Sequence, residues 1–205
     1  MISIITGDII NSQEIVDQNV WLKPIKTLFA EFGSSPQNWE IFRGDSFQLE
    51  IPQPEEAYLA ALRIKAEIKL IKNLDVRMAI GIGKKQFDAS KITESNGEAF
   101  VNSGEKFEIL KKEKINLAIK SPWDSFDREM NLFFKLALNT MDNWSVKSVE
   151  IIRIMLKTPD INQKEIGKIL GIAQSSVSER QKRALWSEIM EIDTIYREKL
   201  KKRIG

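Results

Sequence analysis

Hydrophobic positions in the first 120 residues follow two periods, one typical of strands and one typical of helices. Short runs rich in β-branched or aromatic residues predict strands, and apolar residues spaced three and four apart predict helices between them. The predicted strands cover 2–6, 39–42, 47–51 and 76–82, and the predicted helices cover about 17–33 and 55–72. This order predicts an α+β, ferredoxin-like fold, in which a four-stranded antiparallel sheet carries both helices on one face.

The hydrophobic pattern after this unit is mainly helical. A helix over about 97–112 and a strand over 115–119 would extend the sheet. Helices over 122–138 and 144–156 would follow, the second ending before Thr158-Pro159. The predicted domains are a sheet domain over 1–120, a connecting helix over 121–144 and an all-α domain over 145–205.

Residues 162–183 have the pattern of two short helices joined by a tight turn. Ile166, Ile169 and Leu170 fall at i, i+3 and i+4, as one face of an amphipathic helix requires. Gly171 would supply the turn. Asn162 precedes Glu165 by three residues, which is the spacing of a capping box at a helix start. The segment therefore predicts a helix-turn-helix.

The second helix of this pair would face solvent with short hydrogen-bonding groups first and cations after. Short polar groups can approach base edges and cations can contact phosphates, so the pattern predicts DNA binding. The predicted DNA-binding residues are Gln174, Ser175, Ser176, Ser178, Arg180, Lys182 and Arg183. The alternative is a helical hairpin that only packs within the protein.

Charge is concentrated at the same end of the chain. The whole chain carries a formal net charge of +2, and residues 162–205 contain ten basic and six acidic residues. So modest a surplus suits a homodimer better than a monomer, because affinity for a duplex grows with the number of phosphates neutralised.

Composition excludes several kinds of site. The chain has no cysteine and no histidine, which removes disulfides, thiolate metal sites, histidine metal sites and catalytic triads that need histidine. The N-terminal apolar run is too short for a signal peptide, and no segment approaches membrane-spanning length. We therefore expect a cytoplasmic protein with no membrane partner.

Two aspartates are predicted to meet at one end of the sheet. Asp8 lies at the end of the first strand, which is expected to stop at Gly7-Asp8, and Asp45 lies in the predicted hairpin. In a ferredoxin-like sheet the first strand neighbours this hairpin, so the two carboxylates would form a site for magnesium or manganese. The alternative is two turn aspartates that hydrogen-bond to their own backbone.

Four segments, taken in order, resemble the nucleotide cyclases. Segments of the class III cyclases resemble Thr6–Ile10 and Val76–Gly83 of this chain. The hairpin of these cyclases and of the diguanylate cyclases resembles Arg43–Phe47. A further class III segment that contains Val-Asn resembles Gly97–Lys106. The residues around the turn at Gly171 resemble bacterial transcription regulators. Together these features make the chain resemble the bacterial SatD family, whose function is poorly defined.

The resemblance implies roles for particular residues. Asp8 and Asp45 would hold the metal, Asn102 would orient a ribose, and Lys106 stands where cyclases place an arginine. The implied nucleotide-binding residues are Ile9, Ile10, Asn11, Gly44, Asn102 and Lys106. Lysine lacks the bidentate fork of arginine, and Ser46 stands where diguanylate cyclases have a second acid. The catalytic set is therefore incomplete. Residues 95–106 could also be a plain loop that enters a helix.

Three hypotheses remain from the sequence. The favoured one is a DNA-binding regulator whose cyclase-like domain binds a nucleoside triphosphate or cyclic nucleotide with a divalent metal, dimerises, or does both. The second is a nucleotidyl cyclase or oligonucleotide-forming enzyme that carries a helix-turn-helix module. The third is a domain that only dimerises.

Overall fold

The first strand lies at the centre of a five-stranded sheet in the computed structural model, which describes all 205 residues. The strands are β1 (Ile2–Ile10), β2 (Trp39–Phe42), β3 (Ser46–Ile51), β4 (Asp75–Gly83) and β5 (Leu117–Lys120). Their order across the sheet is β2-β3-β1-β4-β5. Pairing is antiparallel except between β4 and β5, which are parallel.

Eight α-helices complete the chain. They are α1 (Asn19–Phe29), α2 (Ala57–Lys69), α3 (Glu98–Glu113), α4 (Asp124–Met141), α5 (Val146–Lys157), α6 (Gln163–Leu170), α7 (Gln174–Arg183) and α8 (Trp186–Ile204). None of them is both long and apolar enough to cross a membrane. The fold is therefore a mixed α+β arrangement with a C-terminal helix-turn-helix at α6 and α7.

The two faces of the sheet bury alternate residues of each strand, as the two-residue period of a strand requires. Ile5, Ile80 and Ile119 belong to the main core, which also contains residues of α1, α2 and α4. Their neighbours Ile4, Ala79 and Ala118 pack on the opposite face against α3. Alternation between the two faces thus places α1 and α2 in one layer and α3 in another.

The first strand is longer than the sequence predicts. It continues through Gly7 and Asp8 to Ile10, so this pair is not in a loop. The reason is that β1 pairs on both sides, with β3 as far as Asp8 and with β4 as far as Ile10. A side chain at Gly7 would overlap the Phe47 ring, which explains the glycine within a strand.

The C-terminal helices are packed firmly against the sheet domain. One continuous core includes sheet residues such as Ile5 together with Ile166, Val177 and Tyr196 of α6, α7 and α8. The Tyr196 hydroxyl donates a 2.6 Å hydrogen bond to the Pro54 carbonyl just before α2. Arg197 forms a bidentate ion pair with Glu56. These contacts fix the helix-turn-helix relative to the sheet.

Candidate functional site

The helix-turn-helix begins and turns where the sequence predicts. The Asn162 side chain accepts a 3.0 Å hydrogen bond from the Glu165 amide, and the Glu165 carboxylate accepts one from the Asn162 amide. Gly171 ends α6 with a φ of 64°, a left-handed conformation that favours glycine. A Cβ at Gly167 would lie 2.7 Å from the Ile172 carbonyl oxygen, so the turn packs closely over α6. The capping-box and turn predictions are confirmed.

The buried face of α6 differs from the prediction. Ile166 is fully buried and Leu170 is partly buried, but Ile169 is 61% exposed. Gly167 and Gln163 share the inward face instead. Successive helical residues are about 100° apart, so this face is centred on the side of Ile166 away from Ile169. The predicted burial of Ile169 is wrong, and its side chain adds an apolar group to the surface of the helix-turn-helix.

Helix α7 presents its first turn to solvent. Gln174 and Ser175 are exposed, Ser176 and Ser178 are half-buried, and Val177 is fully buried against the core. Ala173 occupies the N-cap position and offers no side-chain hydrogen bond to the first amides of the helix. Unpaired amides at a helix start favour an anion, and a DNA phosphate supplies one.

Arg180 has a structural role that the sequence does not indicate. Its guanidinium donates a 3.3 Å hydrogen bond to the Lys147 carbonyl and lies 3.7 Å from the Glu150 carboxylate. Both partners belong to α5, and the Arg180 side chain is only 19% exposed. Arg180 therefore orients α7 against α5. Of the predicted cations, Lys182 is exposed, and Arg183 is exposed beside Glu179.

A chain of glutamines links α6, α7 and α5. Gln174 Nε2 donates to Gln163 Oε1 at 3.3 Å, and Gln163 Nε2 donates to Gln181 Oε1 at 2.6 Å. Gln181 Nε2 in turn faces Met155 Sδ. These contacts couple the start of α7 to the interior of the domain.

The basic residues of the C-terminal region occupy two separate places. Lys147, Lys157, Lys164 and Lys168 are exposed on or beside α5 and α6, and composition alone does not mark them as surface residues of this unit. The cations of 199–203 lie at the far end of α8, a 19-residue helix that spans about 28 Å. There Lys199 pairs with Glu129 and the Arg203 guanidinium lies over the Phe126 ring. The last residues therefore do not extend the surface of the helix-turn-helix.

The structure places Asp8 and Asp45 at the same end of the sheet. Asp8 pairs in register with Ser46, and the Ile9 amide donates a 3.1 Å hydrogen bond to the Asp45 carbonyl. The Asp45 carboxylate accepts a 2.5 Å hydrogen bond from the Ser12 hydroxyl.

The surroundings of Asp8 fit a divalent cation only in part. Its Oδ1 atom is buried and accepts no hydrogen bond, so it has capacity for a further partner. Burial raises the pKa of the Asp8 carboxyl above 3.8, and nearby Asp45 raises it further, while Arg77 and Lys111 oppose the rise. The Arg77 guanidinium lies 3.7 Å from Asp8 and supplies positive charge where a metal would. No group of three acidic side chains that could hold a metal is present.

The implied nucleotide residues do not gather around the two aspartates. Asn102 is buried and donates a 2.8 Å hydrogen bond to the Ile82 carbonyl. Ile82 pairs with Ser3, five residues along β1 from Asp8, which corresponds to about 17 Å of strand. Lys106 acts electrostatically on Asp127 of α4 and lowers the pKa of its carboxyl, which burial raises. Within one chain, Asn102 is therefore remote from the aspartate pair, and the residues of α3 that act on Asp8 are Glu108 and Lys111.

The backbone after Asp8 is also engaged. Ile9 is buried in the core, and Asn11 has a left-handed φ of 64° with its side chain donating to the Asn73 carbonyl. Ile10 is half-buried at the end of β1, and Gly44 is exposed at the hairpin tip. Among these positions Asn11 and Gly44 are exposed, but the Asn11 side chain is held by Asn73.

Comparison with known proteins gives one match. A family model described as a winged helix-turn-helix DNA-binding domain matches residues 147–185, which cover α5, α6 and α7. The next element after the matched region is helix α8, so residues 146–204 contain helices and no β-strand. No curated protein matches the chain. The match supports a DNA-binding regulator and makes DNA a partner of the segment that includes α7.

Proposed function

We propose that the protein is a DNA-binding transcription regulator in which α7 is the recognition helix. The observation that carries this proposal is the exposed, uncapped start of α7, where Gln174 and Ser175 lie within the matched DNA-binding region. A helix of this kind places its first residues against base edges in the major groove. Lys182 and Arg183 at its other end are available to phosphates.

The regulator acts as a homodimer in this proposal. Its helix-turn-helix carries a modest positive charge, and two copies would double the number of phosphates contacted. The sheet domain is the part available for pairing and for sensing a ligand. Its strand order β2-β3-β1-β4, with α1 and α2 on one face, supports a ferredoxin-like description.

The sheet domain has a second candidate role, which is to bind a nucleotide with magnesium or manganese. The observation that favours it is that Asp8, whose buried Oδ1 atom accepts no hydrogen bond, lies at the same end of the sheet as Asp45. Asp8 and Asp45 would hold the metal, and the metal would supply charge neutralisation for a phosphate. No such observation favours catalysis within one chain, because Asn102 bonds to the Ile82 carbonyl and Lys106 acts on Asp127 of α4.

Two serines provide a matched test of the DNA-binding proposal. Ser175 and Ser187 are both exposed, and each is the second residue of its helix, α7 and α8 respectively. A glutamate near a helix start is tolerated because it complements the helix dipole, so both variants should fold. A DNA duplex that binds the wild-type protein would first be enriched from a pool of random sequences. The affinity of the wild type and of both variants for this duplex would then be measured by fluorescence anisotropy.

We expect Ser175→Glu to weaken binding about tenfold or more, since its carboxylate would face DNA. Ser187→Glu should bind as the wild type does. Equal affinity of all three proteins, or no enrichment of any duplex, would refute the proposal.

A further inference from the structure

A cleft of about 460 Å³ lies between the sheet domain and the helix-turn-helix. Leu59 of α2 forms one wall, Met155 of α5 and Ile161 of the following loop form another, and Trp186 and Met190 of α8 close it. Gln181 of α7 also lines it. Four helices of the two parts of the chain thus meet at one concave site. Its volume lies within the range of about 300–1,000 Å³ that is usual for small-molecule sites.

The chemistry of the lining defines the kind of molecule that fits. Six of the eight lining residues are hydrophobic and none is charged, which disfavours burial of a phosphorylated or ionic ligand. Trp186 offers an indole face, and the thioethers of Met155 and Met190 are adaptable partners for aromatic rings. An uncharged, flat, largely apolar molecule matches this surface.

The side-chain amide of Gln181 has a weak hydrogen-bond partner in the cleft. The Gln181 Nε2 donor faces Met155 Sδ, and a thioether is a weak acceptor. A ligand carbonyl or hydroxyl oxygen would be a better partner for this donor. Gln181 Oε1 meanwhile accepts from Gln163, which also accepts from Gln174 at the start of α7. Gln181 therefore lines the cleft and is linked through Gln163 to Gln174, at the start of α7, which faces DNA in the proposal.

The junction between α7 and α8 adds a second link. Leu185 has a φ of 50°, a left-handed conformation that is strained for leucine. It directly precedes Trp186, whose side chain lines the cleft. The Trp144 indole donates a 3.1 Å hydrogen bond to the Ala184 carbonyl and fixes the other side of this junction. Movement of Trp186 would thus change the strained backbone of Leu185, at the end of α7.

From these observations we propose that the cleft binds an uncharged, flat molecule with a hydrogen-bond acceptor, and that its occupation changes the affinity of α7 for DNA. The regulatory half of this inference rests on the proposed function, and the binding half does not. Coupling of this kind requires the ligand to contact Gln181 and Trp186 differently in the free and the DNA-bound protein.

The test uses the uncharged naphthyl ketone dye prodan, whose fluorescence reports an apolar environment. The full-length protein would be titrated with dye, and DNA affinity measured with and without it. Leu59→Trp would fill the cleft, and Met190→Gln would make its wall polar at nearly constant volume. Leu132→Trp is the matched control, because Leu132 is an exposed leucine of α4 outside the cleft. Thermal unfolding would verify that each variant is folded.

We expect saturable binding of one dye per chain, weakened about tenfold or more by both cleft variants and unchanged by the control. Saturating dye should change DNA affinity about fivefold in either direction, a coupling typical of regulated proteins. Non-saturable binding, or equal binding by folded cleft variants, would overturn the site. Saturable cleft binding without an effect on measurable DNA binding would overturn the coupling. If the wild type binds dye in the cleft but no DNA, the proposed function fails and the site stands.

Discussion

The helix-turn-helix matches a DNA-binding family model, and the structure uses its characteristic residues differently from those of the sheet-domain segments compared with cyclases. In the helix-turn-helix, Gln174, Ser175 and Lys182 lie on the surface. In the sheet-domain segments, Gly81 and Asn102 are inside, where they join α3 to β4. Exposed polar groups are free to read a partner, whereas buried ones already have one. A motif thus carries more functional weight where its side chains remain exposed to a partner.

Two glycines of the sheet-domain segments, Gly81 and Gly104, allow the test of this contrast with the largest expected effect. A Cβ at Gly81 would overlap the Ala99 carbonyl and the Ser103 amide, whereas a Cβ at Gly104 would meet nothing. Gly81→Ala should therefore lower the free energy of unfolding by about 3 kcal/mol. Gly104→Ala should raise it by about 0.5–1 kcal/mol, because alanine favours a helix interior. Urea unfolding would measure both, and similar effects would contradict the close packing of α3 on β4.

The two implied ligand residues of α3 give a smaller test. Asn102→Ala removes a buried hydrogen bond to the Ile82 carbonyl and should cost about 1–3 kcal/mol of stability. Lys106→Ala removes a half-buried side chain and should change stability by less than about 0.5 kcal/mol. Equilibrium unfolding without ligand distinguishes the two residues. An Asn102→Ala protein of wild-type stability would restore a ligand-binding role for this asparagine.

The smallest expected effect concerns Asp8 and the pH. Because burial raises the pKa of Asp8 in the folded protein, its ionised form is disfavoured there. The resulting penalty is present above the folded-state pKa, and it is lost as the pH falls below 3.8, the value expected for the unfolded chain. Asp8→Asn should therefore raise the unfolding midpoint by about 1–3 °C at neutral pH and leave it unchanged in acid.

The Asp8→Asn variant, measured with divalent cations, also tests whether Asp8 and Asp45 hold a metal. Binding to the native state must raise the unfolding midpoint, so magnesium or manganese with a ribonucleoside triphosphate should stabilise the wild type. The increase should vanish in Asp8→Asn. A stabilisation that persists in the variant would place the cation elsewhere, and none in either protein would leave the sheet domain without this ligand.

Local features of the fold could be predicted from the sequence. The capping box at Asn162, the turn at Gly171 and the strands around the hairpin depend on neighbouring residues, and all are present. The continuation of β1 through Asp8 depends on pairing with two distant strands, which no local pattern contains. The same reason explains why the docking of Tyr196 on Pro54 had no sequence signal.

Prediction of the candidate sites was limited in the same way. Helical periodicity identified the outward positions Gln174 and Ser175, but it could not reveal that Arg180 reaches back to α5. Its partners, Lys147 and Glu150, are about thirty residues earlier in the chain. Asp8 and Asp45 were placed together by topology, whereas Arg77 beside them depends on the register of β1 with β4.

The most direct test of DNA binding through α7 compares two equal changes of charge. Lys182→Gln with Arg183→Gln removes two exposed cations of α7, and Lys201→Gln with Lys202→Gln removes two from the far end of α8. The salt dependence of DNA affinity would be measured for each double variant by anisotropy. We predict that the first lowers the slope of log affinity against log salt by about 2, and that the second leaves it unchanged. Equal losses in both would mean that overall charge, and not the helix-turn-helix, holds the DNA.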